Sequence, residues 1–110
     1  GATGLREDHT LGNISLLMDY APLFRRIEML SDYGIFTPLR QTTTLASDPG
    51  TQVSLFSLAP SGTISTTGLR WPIRDRRLTA WWQGTLNEAT GDNFTVTLSP
   101  EARVIVYRTF

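Results

Sequence analysis

Hydrophobic and polar residues alternate along several short runs in the second half of the chain. The clearest run extends from Phe94 to Leu98, where apolar residues alternate with threonines. Because successive side chains of a strand point to opposite faces, this period of two predicts a strand with one buried face. Less regular alternation predicts strands over 51–58 and 78–86. The continuous apolar run from Val104 to Val106 predicts a strand that is covered on both faces.

Turn-forming residues separate these runs. Ser47-Asp-Pro-Gly50 and Thr90-Gly-Asp-Asn93 are two of the clusters, and both have the composition of tight turns. The chain also contains sixteen threonines, which favour strands over helix interiors. The sequence therefore predicts a mainly β fold: an antiparallel β-sandwich of the jelly-roll type, which another chain could complete.

The N-terminal quarter has a different pattern. Residues 1–12 are small and polar and predict a flexible arm without a fold of its own. From Asn13 onward apolar residues fall at helical spacing, with an interruption at Pro22, so we expect a short helical segment over 13–30. The prediction is thus an arm followed by a single β-rich domain over 13–110. Since the chain stops at Phe110 on an apolar strand, we expect another chain or further polypeptide to cover that strand.

Composition narrows the class of protein. A chain of 110 residues suffices for one compact domain. Ten basic residues, all of them arginine, balance ten acidic ones, so the whole chain is not steered towards nucleic acid or an acidic membrane. Arginine is better suited than lysine to buried or interfacial ion pairs. No apolar run approaches the ~20 residues needed to cross a bilayer, and we expect no membrane partner.

Groups that could carry catalysis are scarce. The chain has no cysteine, and its one histidine, His9, lies in the polar arm. Glycine-rich phosphate loops, nucleophile elbows and metal-spaced clusters are absent from the sequence. Glu88 and Asp92 flank a predicted turn, where a calcium site or an acid pair is conceivable, but solvated turn carboxylates are commoner. We therefore expect no enzymatic activity, no cofactor and no metal site.

The stretch from Gly68 to Leu86 contains four arginines and three tryptophans. If 78–86 is a strand, Trp81 and Trp82 face opposite sides and cannot form one sugar-binding platform. An exposed tryptophan with arginine neighbours is typical of a protein interface, which is the preferred interpretation. The candidate contact residues within the stretch are Trp71, Arg74, Arg76, Arg77, Trp81 and Trp82.

Two other interpretations of this stretch stay open. A small ligand-binding β-sandwich, such as a carbohydrate-binding module, could use Trp71 or Trp81 as a stacking ring. The loop from Arg70 to Arg77 could instead bind a single-stranded nucleic acid, with arginines on phosphates and tryptophans on bases. Asp75 lies among those arginines, so a structural loop whose arginines pair with nearby carboxylates or carbonyls ranks above a nucleic-acid site.

Two segments suggest a family. The run from Asn13 to Arg26 resembles the segment with which capsid proteins of picorna-like RNA viruses enter their jelly roll: a short helix, a proline or aromatic residue, and a basic pair. Residues 78–86 resemble the aromatic-x-Gly-Ser/Thr-Leu strand of those proteins. Together these segments cover about a fifth of the chain. An eight-stranded jelly roll normally needs more than 110 residues, so the chain would hold only part of one.

This resemblance implies a structural role. The chain would assemble with sister capsid chains into an icosahedral shell around genomic RNA and would be located in the virion. The resemblance implies a contact role for Arg25, Arg26, Trp81 and Trp82. Assembly of a viral capsid is therefore the leading hypothesis from sequence, ahead of the ligand-binding β-sandwich and the nucleic-acid binder.

Overall fold

The computed structural model of the chain describes Leu16, Met18 and residues 28–110. In this part the chain forms eight strands and one short 3-10 helix. The strands are β1 (Met29–Leu30), β2 (Gly34–Leu39), β3 (Thr43–Ala46), β4 (Gln52–Ser57), β5 (Ile64–Thr67), β6 (Asn87–Glu88), β7 (Asn93–Leu98) and β8 (Val104–Thr109). The 3-10 helix spans Trp81–Gly84.

The strands form two antiparallel sheets. The larger sheet has the order β1-β2-β8-β4-β6 and the smaller one β3-β7-β5. Buried side chains from both sheets join in one hydrophobic cluster, so the main core lies between the sheets. The prediction of a mainly β antiparallel sandwich is confirmed. Its finer part, a jelly-roll connectivity, stays a prediction.

Alternation explains which face of each strand is buried. In β7, Phe94 and Val96 are at most 1% exposed and point into the core, whereas Thr95 and Thr97 lie on the other face. The strand predicted from Phe94 to Leu98 is therefore confirmed. β4 likewise buries Val53 and Leu55 between the sheets and spans 52–57 of the predicted 51–58.

Strand β8 is buried on both faces. Val104 and Val106 belong to the core between the sheets. Ile105 points to the opposite face, where it packs in a second cluster with Met18 and several partly buried residues. All three are fully buried, as the continuous apolar run predicts. The partly buried members of the second cluster are Met29, Phe36, Phe56 and Leu58.

The Arg108 side chain links the two sheets at one end of the sandwich. Arg108 Nη2 lies 3.0 Å from Glu28 Oε2, and the Thr37 hydroxyl donates to the same carboxylate oxygen at 2.9 Å. Nη1 of Arg108 donates to the carbonyl of Ala46, on β3 of the smaller sheet, at 2.9 Å. The Arg108 side chain is only 12% exposed. This is the kind of partly buried pair for which arginine is better suited than lysine.

The prediction of a strand over 78–86 is wrong. Residues 81–84 form the 3-10 helix instead. The side-chain oxygen of Gln83 accepts hydrogen bonds from the amides of Thr79 and Ala80 at 2.9 and 3.2 Å, and such local bonds compete with strand pairing. Gly84 passes so close to the Leu55 carbonyl that a Cβ there would collide with it. The segment therefore packs across β4 instead of pairing with it.

The N-terminal predictions fall mostly outside the described residues. This holds for the arm over 1–12 and for most of the helical segment over 13–30. Within that segment, Leu16 and Met18 have helical backbone, whereas Met29–Leu30 form strand β1. No helix in the described residues combines the length and apolar character needed to cross a membrane.

The double burial of β8 can be tested at Ile105. We expect Ile105→Ala to lower the free energy of unfolding by about 2–5 kcal/mol, because it removes buried methyl groups and leaves a cavity on the outer face of the larger sheet. Leu30→Ala is the matched control, since Leu30 is 71% exposed and its replacement should cost within about 0.5 kcal/mol. Urea denaturation measures both. Equal losses of unfolding free energy in the two variants would mean that the outer face of β8 is exposed to solvent.

Candidate functional site

One edge of the larger sheet brings polar and aromatic side chains together. Strand β6 pairs on one side with β4. On its other side the segment 68–71 runs antiparallel to it: the amide of Arg70 donates to the carbonyl of Glu88 at 2.9 Å, and Leu69 forms a bridge with Ala89. We name the group formed by Arg70, Trp71, Asn87 and Glu88 the aromatic edge.

Gly68 allows the chain to enter this edge. Its φ is +85°, in the left-handed region that side chains rarely adopt. A Cβ at this position would also lie 2.8 Å from the Asn93 carbonyl oxygen and 2.9 Å from Phe94 Cα. The segment 68–71 can therefore lie directly against β7 only because residue 68 is glycine.

Asn87 holds the backbone of Trp71 in place. Its side-chain oxygen accepts from the Trp71 amide at 3.1 Å, and its Nδ2 donates to the Trp71 carbonyl at 2.7 Å. The same oxygen accepts from the amide of Glu88 at 2.9 Å. Asn87 is 7% exposed, so these bonds are largely shielded from water. The Asn87 side chain thus satisfies both backbone groups of Trp71, as a paired residue of a neighbouring strand would.

In contrast to Asn87, the other side chains of the aromatic edge are at least partly exposed to solvent. Trp71 is 53% exposed, and the guanidinium carbon of Arg70 lies 4.8 Å from its ring centroid. Arg70 Nη1 also lies 3.1 Å from Glu88 Oε1. The Arg70 and Glu88 side chains are 60% and 33% exposed, so their ion pair contributes only about 0–1 kcal/mol. The edge thus offers an aromatic face and a carboxylate, which together suit a planar cation.

Sequence reasoning identified part of this edge. Trp71 is among the predicted contact residues, and Arg70 opens the loop considered for nucleic acid. Asn87 is missed, although asparagine is disfavoured in strands, and its position beside a predicted hairpin is a usable signal. For Glu88 the sequence suggests only a calcium site or an acid pair with Asp92. Among the described residues, no group of three or more His, Cys, Asp or Glu could hold a metal ion.

The other predicted contact residues lie elsewhere. Arg74, Arg76 and Arg77 are exposed in the loop after Trp71. Trp81 and Trp82 begin the 3-10 helix, so their predicted placement on opposite faces of a strand is wrong. Their side chains lie outside the described part of the chain. Arg25 and Arg26 also lie outside it. The contact roles of all these residues stay predictions.

The fold and the aromatic edge define the class: a β-sandwich domain whose exposed edge is suited to binding a small molecule. A family model described as "Thiamin pyrophosphokinase, substrate-binding domain" matches residues 34–107, about two thirds of the chain. The chain therefore belongs to this family. Comparison with curated protein sequences gives no match.

Solved structures agree on the fold. Thiamine pyrophosphokinase from Bacillus subtilis matches 93% of the chain with a TM-score of 0.78 and 19% identity. The enzyme from Geobacillus thermodenitrificans matches 94% with a TM-score of 0.77 and 24% identity, and that from Candida albicans 94% with 0.76 and 14%. The chain spans only 49%, 48% and 41% of these three proteins, respectively.

The family match corrects the resemblance to capsid proteins of picorna-like viruses. It extends over about two thirds of the chain, whereas the capsid resemblance uses two short segments covering about a fifth. One of these, 78–86, is not the strand that the motif requires. The predicted capsid function, the sister chains and genomic RNA as partners, and the location in a virion are therefore wrong.

The expectation of no enzymatic activity is also wrong. The description of the family names the substrate-binding domain of a pyrophosphokinase. The expectation failed because it rested on the lack of recognisable catalytic groups. A domain that binds and positions a substrate needs none of its own, since positioning alone supplies a large part of a rate enhancement.

The role of Asn87 can be tested by removing its side chain. We expect Asn87→Ala to lower the free energy of unfolding by about 1–3 kcal/mol, because it leaves shielded polar groups of Trp71 without partners. Hydrogen exchange of the Trp71 amide should become faster. Asn93→Ala is the matched control, since Asn93 is exposed at the start of β7. An unchanged exchange rate at Trp71 would contradict this role.

Proposed function

We propose that this chain is the part of a thiamin pyrophosphokinase that binds thiamin. The observation that carries the proposal is the family match over residues 34–107. The aromatic edge is the place on the described chain that suits the ligand best. The proposal develops one of the interpretations open from sequence, a small ligand-binding β-sandwich that uses Trp71 as a stacking ring.

The chemistry of thiamin fits the aromatic edge. Thiamin contains a flat aminopyrimidine ring and a flat, positively charged thiazolium ring. An exposed indole attracts both, by stacking and by a cation–π interaction. Glu88 adds a negative charge beside the indole. The guanidinium of Arg70 is itself a planar cation. It lies 4.8 Å from the Trp71 ring centroid and 3.1 Å from the Glu88 carboxylate, which supports a fit of the thiazolium ring to the same place.

Arg70 would have to yield to such a ligand. Its ion pair with Glu88 is largely exposed and contributes little to stability. Displacing the guanidinium into water therefore costs little, while the backbone beneath it stays fixed by Asn87. We infer that the thiazolium ring exchanges with Arg70 at the Trp71 face and near Glu88.

The domain would contribute positioning to the reaction. A pyrophosphokinase joins the hydroxyl oxygen of its substrate to the β-phosphorus of a nucleoside triphosphate. The bond from that phosphorus to the α,β-bridging oxygen breaks, the nucleoside monophosphate leaves and the hydroxyl gives up its proton. Catalysis of such transfers comes mainly from positioning and electrostatic stabilisation. We assign to this chain the task of holding the thiamin.

Replacing Trp71 tests where thiamin binds. We expect Trp71→Ala to weaken thiamin binding by about 2- to 30-fold, since a cation–π contact contributes about 0.5–2 kcal/mol. Trp71→Phe should lose less. Calorimetric titration of the chain with thiamin, and separately with its thiazolium and aminopyrimidine halves, measures this effect. Tyr33→Ala removes another exposed aromatic ring, 78% exposed, and serves as the control. Equal binding by all variants would contradict the site.

Replacing Glu88 tests the role of its charge. Glu88→Gln keeps the shape of the side chain and removes the charge, so we expect thiamin and the thiazolium half to bind about two- to fivefold more weakly. The neutral aminopyrimidine half should bind unchanged. Asp92→Asn, at an exposed turn, is the matched control. Equal losses for the charged and neutral ligands would show that Glu88 acts by shape and not by charge.

A further inference from the structure

Three arginines occur within four residues and form no ion pair with another residue of the described chain. Residues 74–77, which we name the arginine loop, consist of Arg74, Asp75, Arg76 and Arg77, and all four are exposed. None of the three arginines has an ion pair or a side-chain hydrogen bond with any residue of the described chain. Arg70 and Arg108, in contrast, are both paired with glutamates. The expectation that the loop arginines pair with nearby carboxylates or carbonyls therefore holds for Arg70 but not for these three.

The backbone of the arginine loop is firmly held. Thr66 donates its amide to the Ile73 carbonyl at 2.8 Å and accepts from the Ile73 amide through Oγ1 at 2.9 Å. Ile64 and Arg76 exchange two backbone hydrogen bonds, at 2.8 and 3.0 Å. Ile73, before the loop, and Leu78, after it, are buried in the core. The loop is thus mounted on β5 at both ends.

The centre of the loop is held as well. The Asp75 amide donates to the Ser65 hydroxyl at 2.8 Å. Asp75 has a φ of +51°, in the left-handed region, which is uncommon for residues other than glycine although aspartate tolerates it better than most. A firmly held backbone thus keeps three arginines and one aspartate within four residues, so the loop carries a net positive charge, which self-repulsion disfavours. This is the arrangement expected of a binding surface for an anion.

We propose that the arginine loop binds the diphosphate group carried by a ligand whose ring lies on Trp71. This inference rests on the proposed function, because that function supplies the ring site and the diphosphate chemistry. Arg74 follows Trp71 by three residues, so their Cα atoms are at most about 11 Å apart. One extended ligand can therefore contact both. Guanidinium groups suit phosphate oxygens because they donate two parallel, charge-assisted hydrogen bonds.

The observations favour a diphosphate over a nucleic-acid strand. A protein that binds single strands without sequence preference combines a basic groove with several aromatic platforms. This chain is neutral overall, and its unpaired arginines on the described surface are concentrated in one short loop beside one exposed tryptophan. A compact ligand with its negative charge at one end matches that arrangement. The diphosphate can belong to the diphosphorylated product or to the nucleotide, and the two sources can be separated by titration.

The test compares ligands with and without a diphosphate. The chain is titrated by calorimetry with thiamin, thiamin diphosphate, inorganic pyrophosphate and a nucleoside triphosphate. We expect thiamin diphosphate to bind at least about tenfold more tightly than thiamin. In the variant Arg74→Gln/Arg76→Gln/Arg77→Gln that ratio should fall to about one, with thiamin itself binding unchanged. Arg40→Gln, which removes a charge from an exposed site elsewhere, should leave the ratio as it is. Tighter binding of the triphosphate than of thiamin diphosphate would assign the loop to the nucleotide.

Several outcomes would overturn the inference. A ratio that survives in the triple variant would place the diphosphate elsewhere. An equal drop of this affinity ratio in Arg40→Gln would show that the effect comes from the overall charge and not from the arginine loop. Tighter binding of a single-stranded oligonucleotide than of pyrophosphate, with a steep dependence on salt, would assign the loop to nucleic acid. If pyrophosphate binds at the loop while thiamin does not bind at all, the proposed function fails and the anion site stands.

Discussion

The burial of β8 on both of its faces is the constraint on which the rest of the structure depends. Val104 and Val106 close the core between the sheets, and Ile105 closes the cluster on the outer face of the larger sheet. As the central strand of that sheet, β8 fixes β4, and β4 in turn carries β6 by pairing Val53 with Asn87. The geometry of the aromatic edge is therefore set by apolar packing two strands away.

At the aromatic edge, the contacts that hold the backbone are fixed, whereas the contacts between exposed side chains can be exchanged. The shielded bonds of Asn87 hold the backbone of Trp71, where a lost partner is costly. The exposed contacts of Arg70 with Trp71 and Glu88 stabilise the fold very little. An arrangement of this kind can present the same aromatic face repeatedly while the group that covers it changes. Under the proposed function, such an arrangement would let a domain without recognisable catalytic groups hold a substrate for an enzyme.

Five arginines of the described chain, namely Arg108, Arg70 and the three of the arginine loop, have three different environments. Arg108 forms a partly buried ion pair with Glu28 and donates to the Ala46 carbonyl of the smaller sheet, and its role is structural. Arg70 lies in an exposed pair at the aromatic edge. The arginine loop has no charge partners on the described chain, although its backbone is as well held as a strand. Total charge hides these differences, because attraction depends on which charges are paired and which face solvent.

The sequence by itself determined the β class and its best strands, since alternation in 93–98 and the apolar run at 104–106 are local consequences of burial. It also identified Trp71 and the arginine-rich stretch as the place to look for a site. Only the tertiary structure decided that 81–84 is a 3-10 helix packed closely against Leu55 of β4, because that contact joins residues far apart in the chain. Tertiary structure likewise decided the role of Asn87, whose partner Trp71 lies sixteen residues earlier. A local pattern cannot encode such contacts: the period of two records which face is buried, not which residue lies opposite.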